Sequence, residues 1–201
     1  MTGFLFTLLT LQVVSGEALR FVPVYKQGYD SSCGIAVTAT LLNNYWGIPV
    51  SEAGLIQDMI GSPAEGDGRN TYSISFLTMA GYLRKQGIAA RPFRMDWDGL
   101  ADSLGKGYAP IVVHYEKPMP HFALLLRQEG DYAIVADPAR GCGIVSRQSF
   151  ERNYSGNALL TASTGALKDK AALERNVERE RKRLASLRRL ASGRQTRAGP
   201  R

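Results

Sequence analysis

Two cysteines and two histidines are the scarcest reactive side chains in this 201-residue sequence, and their settings differ. Cys33 follows a polar turn, Gly28 to Ser32, and begins an almost wholly apolar run from Gly34 to Leu42. Such a run predicts a buried helix that starts at the cysteine. The unpaired N–H groups of a first helical turn, together with the positive end of the helix dipole, stabilise a thiolate. The chemistry on offer is nucleophilic attack by sulfur. Ser31 or Ser32 is expected to cap the helix. Gln27 stands six positions before Cys33, within reach of the space in front of the sulfur. With the Cys33 backbone N–H it makes a candidate oxyanion hole.

A thiol nucleophile needs a base, and hairpin arithmetic supplies one. The stretches His121 to Arg127 and Tyr132 to Asp137 flank a turn, Gln128-Glu129-Gly130-Asp131. A hairpin centred on Glu129 places His121 opposite Asp137. Cross-strand partners share a face, so the carboxylate can take a hydrogen bond from one ring nitrogen and leave the other for the thiol. That arrangement is the orienting half of a Cys-His-Asp triad. A one-residue slip would turn either residue away. Each residue also has a plainer reading: a satisfied strand histidine, and an Asp-Pro step that leaves a strand. The other histidine, His114, falls opposite Ile144 in the same register and has no acid beside it. Cys33 has a rival reading too, a structural disulfide with Cys142, which lies between two glycines in a predicted loop.

The elements that must position these residues are readable from periodicity. Trp46-Gly47-Ile48-Pro49 ends the cysteine helix, and Val50-Ser51-Glu52 opens a second one to about Ile60. The region 61–71 is rich in Gly, Pro, Asp and Asn and reads as a loop. A third helix is expected from Ser73 to Gln86, with Ile74, Leu77, Met79 or Ala80, and Leu83 on its buried face. Strands are predicted at Ile88–Met95, Ala109–Tyr115, His121–Arg127, Tyr132–Asp137 and Asn157–Ala162, with short helices at Trp97–Leu104 and Ser146–Tyr154. A helical first half followed by an antiparallel sheet is an α+β domain.

The ordered set Gln27 to Gly34, the alanine-rich helix with Leu41-Leu42 and Tyr45-Trp46-Gly47, His121-Phe122, and Asp137 to Gly141 resembles the bacteriocin-processing, double-glycine leader peptidases. The resemblance runs from about Phe21 to Leu160. It implies a papain-like fold, N-terminal helices packed on an antiparallel sheet. It also implies Cys33 as nucleophile, His121 as general base and acid, Asp137 as orienter of the histidine and Gln27 as an oxyanion donor, with no cofactor and no metal. The substrate it implies is a protein or peptide, cut after a small pair such as Gly-Gly. Exporter-linked members carry an aspartate immediately before the cysteine, where this chain has Ser32. The layout is closer to stand-alone, exported members, including the cysteine peptidase-like component of functional-amyloid (Fap-type) secretion systems. A secretion-system or amyloid-subunit partner is therefore expected. The alternative of a different class is a non-catalytic papain-like module that grips an extended leader or fibre subunit in the same cleft.

Charge and the termini complete the reading. The formal charge of +7 is uneven: from Lys168 to Arg201 there are twelve Lys and Arg against four Asp and Glu. The preceding residues are close to neutral, so the fold itself offers no basic groove, and the tail has no aromatic residue to stack a base. Nucleic acid is not an expected partner. Residues 1–18 read as a signal peptide, a short apolar run with small residues at Gly16 and Ala18, which implies a periplasmic or secreted protein. A buried first strand or helix is the other reading of that run. The peptidase domain is expected over 19–165. In 166–201, Leu173, Val177, Leu184, Leu187 and Leu190 mark a basic amphipathic helix to about Ala191, followed by a disordered end. It is read either as a solvated extension or as a helix that docks on an acidic surface.

Overall fold

The computed structural model describes residues 20–61, 72–162 and 170–195. The segment read as a signal peptide, residues 1–18, lies outside the described residues, as do 62–71. Among the described residues, no helix is long and apolar enough to cross a membrane.

The helix that opens at the thiol is central. Helix α1 (Cys33–Thr40) buries every residue from Gly34 to Thr40 and continues into a π-helical turn, Leu41–Trp46, which stops at Gly47 with φ 65°. Its two threonines bury their hydroxyls without loss, because Thr38 Oγ1 donates to the Gly34 carbonyl (2.8 Å) and Thr40 Oγ1 to that of Ala36 (2.7 Å). Neither serine caps α1. Ser31 Oγ accepts from the Tyr72 N–H at 2.9 Å, and Ser32, fully buried, turns its hydroxyl back to the Tyr29 carbonyl at 2.9 Å. Both hydroxyls tie the loop together, so the first N–H groups of the helix keep no side-chain cap.

Helix α2 (Glu52–Met59) is capped by Ser51, and α3 (Phe76–Lys85) by Ser75. The cap at Ser75 starts α3 three residues later than periodicity suggested. It also overturns one core assignment, since Leu77 is 70% exposed. The buried stripe is Met79, Ala80 and Leu83. Leu77 sits two residues before Met79, about 200° round the helix from it, and so faces outward.

Six antiparallel strands follow: β1 (Ala89–Arg94), β2 (Ile111–Tyr115), β3 (His121–Glu129), β4 (Tyr132–Asp137), β5 (Gly141–Ser146) and β6 (Tyr154–Ala162), in spatial order β1-β6-β2-β3-β4-β5. Helices α4 (Trp97–Gly105) and α5 (Arg147–Asn153) lie between strands in sequence. Alternation sorts the sheet into two cores. Val112, Leu124, Ile134 and Ala136 join the α1–α3 side, whereas Ile111, Val113, Ala123, Leu125, Ala133 and Val135 pack with Trp97, Leu100 and Phe150 of α4 and α5. Strand β5 corrects the sequence reading, in which Gly141 to Gly143 was a loop. The glycines hide a strand that pairs along its whole length with β4, from Asp137↔Gly141 to Tyr132↔Ser146.

Helix α6 (Lys170–Gln195) is longer than expected, since it runs through Ser192 and Gly193. It is not a solvated extension at its start. Leu173 and Val177 enter the helix-side core, and Glu180 is 3% exposed. Burying two aliphatic side chains contributes about 3 kcal/mol or more, enough to hold the first half of the helix on the domain. The side chains of Leu184, Leu187 and Leu190 lie outside the described residues.

Candidate active site

The hairpin turn is tighter than the sequence reading, and the site survives because two errors cancel. The loop is only Gly130-Asp131, with Glu129↔Tyr132 as the first pair, and a bulge between Leu125 and Arg127 then shifts the register to Leu125↔Val135 and Leu124↔Ala136. Carried on, this puts Asp137 level with Ala123 rather than His121. The displacement is two residues, which preserves the face. His121 Nε2 therefore reaches Asp137 Oδ1 diagonally across the strands, at 2.8 Å. The Ala139 N–H (2.8 Å) and Arg140 N–H (3.2 Å) donate to the same oxygen.

Cys33 meets this pair from the helix side. Gly34 makes the approach: a Cβ there would come within 2.7 Å of Ile74 Cγ1 and 3.2 Å of Phe122 Cδ2, so only glycine lets the start of α1 press against β3. The thiol lies beside His121, whose Nδ1 is the ring nitrogen left after the Asp137 contact, and its ionised form is favoured by the ring and by the backbone N–H groups of Phe122 and Gly34. The fold thus brings Cys33, His121 and Asp137 together, with a hydrogen bond between the last two.

The electrostatics follow from that arrangement. Burial works against ionisation of Cys33 and is the largest single influence. It is outweighed by the His121 hydrogen bond, the Phe122 N–H and the imidazolium charge together, so the thiol ionises below its usual value of 9.0. Burial likewise opposes a charged His121, but the bonds to Asp137 and Cys33 raise its pKa to about 9. Asp137 is held below the usual carboxylate value: burial raises it, and the His121 hydrogen bond and charge more than compensate. The two shifts run the same way: each charged partner favours the other, so the thiolate beside an imidazolium forms at a lower pH than an isolated cysteine would ionise. A peptide-cleavage rate that depends on this pair rises as Cys33 ionises, at a pH below 9.0, and falls again as His121 loses its proton near pH 9. A pH profile of kcat/KM checks this; a rate still climbing above pH 10 would contradict it.

Gln27 is placed beside the site but occupied. Its Nε2 donates to the carbonyls of Tyr29 (2.9 Å) and Asp30 (3.3 Å), and its Oε1 is buried without a partner. An amide nitrogen has two N–H groups, and both are directed into the loop. The loop is pinned in turn: the Gln27 N–H donates to the Pro138 carbonyl at 3.0 Å, and Glu52 clasps the Gly28 N–H with both carboxylate oxygens (3.0 and 3.2 Å). Glu52 is a contact the sequence reading missed. Its only sequence signal was its place after the Ser51 cap.

The remaining candidates fall elsewhere. His114 Nδ1 bonds Ser155 Oγ at 3.0 Å, and the ring packs on Phe122 and Phe76. It pairs with Phe122 across β2 and β3, not with Ile144. Cys33 and Cys142 are both free thiols, so the disulfide reading does not hold. Cys142 is 1% exposed, and burial, with the nearby Glu180 carboxylate, pushes its pKa up to about 12.

Helices on an antiparallel sheet, with a polarised thiol at the start of the central helix, define a papain-like cysteine peptidase domain. A model of the peptidase C39 family matches residues 22–166, and the chain belongs to that family. Two curated relatives carry the name probable functional amyloid protease FapD. The Pseudomonas aeruginosa protein is 33% identical over 146 residues, covering 72% of this chain and 62% of its own length. The Pseudomonas fluorescens protein is 31% identical over 164 residues, covering 81% and 70%. The chain therefore spans just under two thirds of the first relative. Among solved structures, the peptidase domain of Streptococcus ComA, a bifunctional ABC transporter involved in quorum sensing, superposes with a TM-score of 0.58 at 20% identity, covering 71% of this chain and 98% of that one, and shows the fold. A double glycine motif protease from an AMS/PCAT transporter, solved with its leader peptide, gives 0.57 at 25% identity, covering 71% and 91%.

Proposed function

We propose that this chain is an exported cysteine peptidase that processes a secreted protein or leader after a small pair such as Gly-Gly. The observation that carries the reading is the His121–Asp137 hydrogen bond beside Cys33, with the thiol pKa lowered and the imidazole pKa raised by their interaction. A non-catalytic clamp gains nothing from such polarisation, which costs burial of two charges.

The steps follow from the roles. The Cys33 thiolate attacks the carbonyl carbon of the second small residue, and the Cys33 N–H holds the oxyanion that forms. Gln27 becomes a second donor only after one of its N–H groups leaves the Tyr29 or Asp30 carbonyl. The imidazolium of His121 gives its proton to the leaving amine, and the thioester left on sulfur is hydrolysed by a water that the now neutral His121 deprotonates. Asp137 holds the ring so that Nδ1 faces sulfur.

The Gly-Gly preference rests on the family likeness, and the double glycine motif protease among the structural relatives supports it. The relatives' names support a substrate within a functional-amyloid assembly, and residues 1–18, read as a signal, support a periplasmic or secreted setting. Docking of the tail on an acidic surface is part of the same proposal. Arg181 and Arg183 are already matched by Glu129, Glu178 and Glu180, which lessens the charge that this part of the helix can offer such a surface.

A peptide pool with every residue varied around a central pair tests the reading. The full chain is expected to cut after Gly-Gly and to leave Val-Val peptides intact. Cutting with no preference at the pair would refute the specificity, and failure to cut any peptide under reducing conditions would refute the activity.

A further inference from the structure

A cleft of about 310 Å3 opens beside His121. His121 and Asp137 line it, with Gln27 and Asp30 from the loop before the nucleophile, and Cys33 does not, so it adjoins the imidazole rather than the sulfur. Under the reading above, on which this inference rests, the acyl part of the substrate stays on sulfur and the leaving amine is protonated by His121. The chain after the scissile bond therefore exits on this side.

The cleft is cationic, which corrects the expectation that a near-neutral fold offers no basic groove: its cations are gathered from three distant segments. Arg20, Lys117 and Arg140 all line it, and none is in an ion pair among the described residues. Two carboxylates face them, Asp30 and Asp137, and Asp137 is matched to His121. Each cation stands on a separately pinned segment. Gly141, with φ 78°, lets the Arg20 backbone press in so closely that a Cβ would meet Arg20 Cβ at 2.6 Å and its carbonyl oxygen at 2.9 Å. The Arg140 N–H is bound to Asp137. The loop that bears Lys117 is anchored through the Glu116 N–H on the Asn153 carbonyl at 2.8 Å. Met119 adds an apolar wall for the stem of a side chain.

We propose that this cleft is the subsite for the leaving segment, and that it selects acidic side chains, Asp or Glu, in the first residues after the cut. Three cations carried on pinned backbone segments converge on a carboxylate placed there, whereas a lysine there meets like charge.

The test uses the full chain carrying Cys33→Ala, which binds peptides without cutting them, and two fluorescent peptides that differ only in Glu or Lys at the three positions after Gly-Gly. The Glu peptide is expected to bind about tenfold more tightly at low salt, with the gap narrowing as salt screens the charges. Adding Arg140→Glu and Lys117→Glu should flatten or invert the ranking, an effect a merely structural role would not produce. Equal affinities, binding of neither peptide, or an unchanged ranking in the reversed variant would overturn the proposal. The same peptides with Cys33 restored separate it from the peptidase reading. A Glu preference in binding with no cleavage sinks the activity alone, and cleavage without charge preference sinks the cleft alone.

Discussion

Replacing Cys33 by alanine is expected to lower peptide cleavage by at least about 10^5-fold, to background, while the melting temperature moves by no more than about 4 °C. The chemistry has no second route. Cys142 is the other thiol, but it is buried in the helix-side core, with its pKa pushed up to about 12. The fold has little stake in the sulfur. Cys33 is half-buried at a helix start, and α1 is held by the residues from Gly34 to Thr40 behind it. Intact-mass measurement gives an independent reading: iodoacetamide at neutral pH should add one label to the native protein and none to Cys33→Ala. Undiminished cleavage by the alanine variant, or labelling that falls on Cys142, would remove Cys33 from the mechanism.

The second large effect is at Asp137, where two substitutions separate charge from geometry. Asp137→Asn keeps an oxygen where three donors converge, and the Ala139 and Arg140 N–H groups orient the new amide with that oxygen toward His121. The ring tautomer is preserved and only the charge is lost. Removing the anion makes the imidazolium less stable, so the His121 pKa falls from about 9 toward its ordinary value, and the alkaline limb of the rate moves to lower pH. A loss of about 10- to 100-fold in kcat/KM is expected. Asp137→Ala is harsher. It leaves the His121 ring and the Ala139 N–H without their acceptor at a position only 7% exposed, while the Arg140 N–H keeps the residue 137 carbonyl; the change costs about 2–3 kcal/mol of stability and about 10^3-fold or more in rate. The sign of the pH effect on folding agrees. Asp137 titrates low in the folded protein, so its contribution is present above the ordinary carboxylate range and is lost as pH falls through the depressed value. His121, raised, contributes below its ordinary pKa of 6.5, and that contribution is lost as pH rises through about 9. Chemical denaturation at several pH values, on the native protein and both variants, measures these terms. Equal activity and an unmoved alkaline limb in Asp137→Asn would show that the carboxylate charge is not coupled to the ring.

What the sequence determined by itself was whatever depends on neighbours along the chain. A polar turn followed by seven buried residues is a helix start wherever it occurs, so the place of Cys33 was legible. Alternation gave the strands that bear His121 and Asp137, and their common face followed from the parity of the numbering. Parity is also why a mistaken turn and an unseen bulge did no harm, since together they displaced the register by two residues rather than one. The tertiary structure decided the rest. Strand β5 exists because β4 offers a free edge to a glycine-rich segment with weak strand propensity of its own. Leu77 faces water because the Ser75 cap set the phase of α3. Leu173 and Val177 anchor the tail helix because the far side of its contact, β3, β5 and the end of α1, is assembled only in the folded chain. The hydrogen bonds of Gln27 and the cationic cleft beside His121 depend on segments more than a hundred residues apart, Arg20 against Gly141 and Gln27 against Pro138. Local propensity carries no information about such meetings; packing creates them.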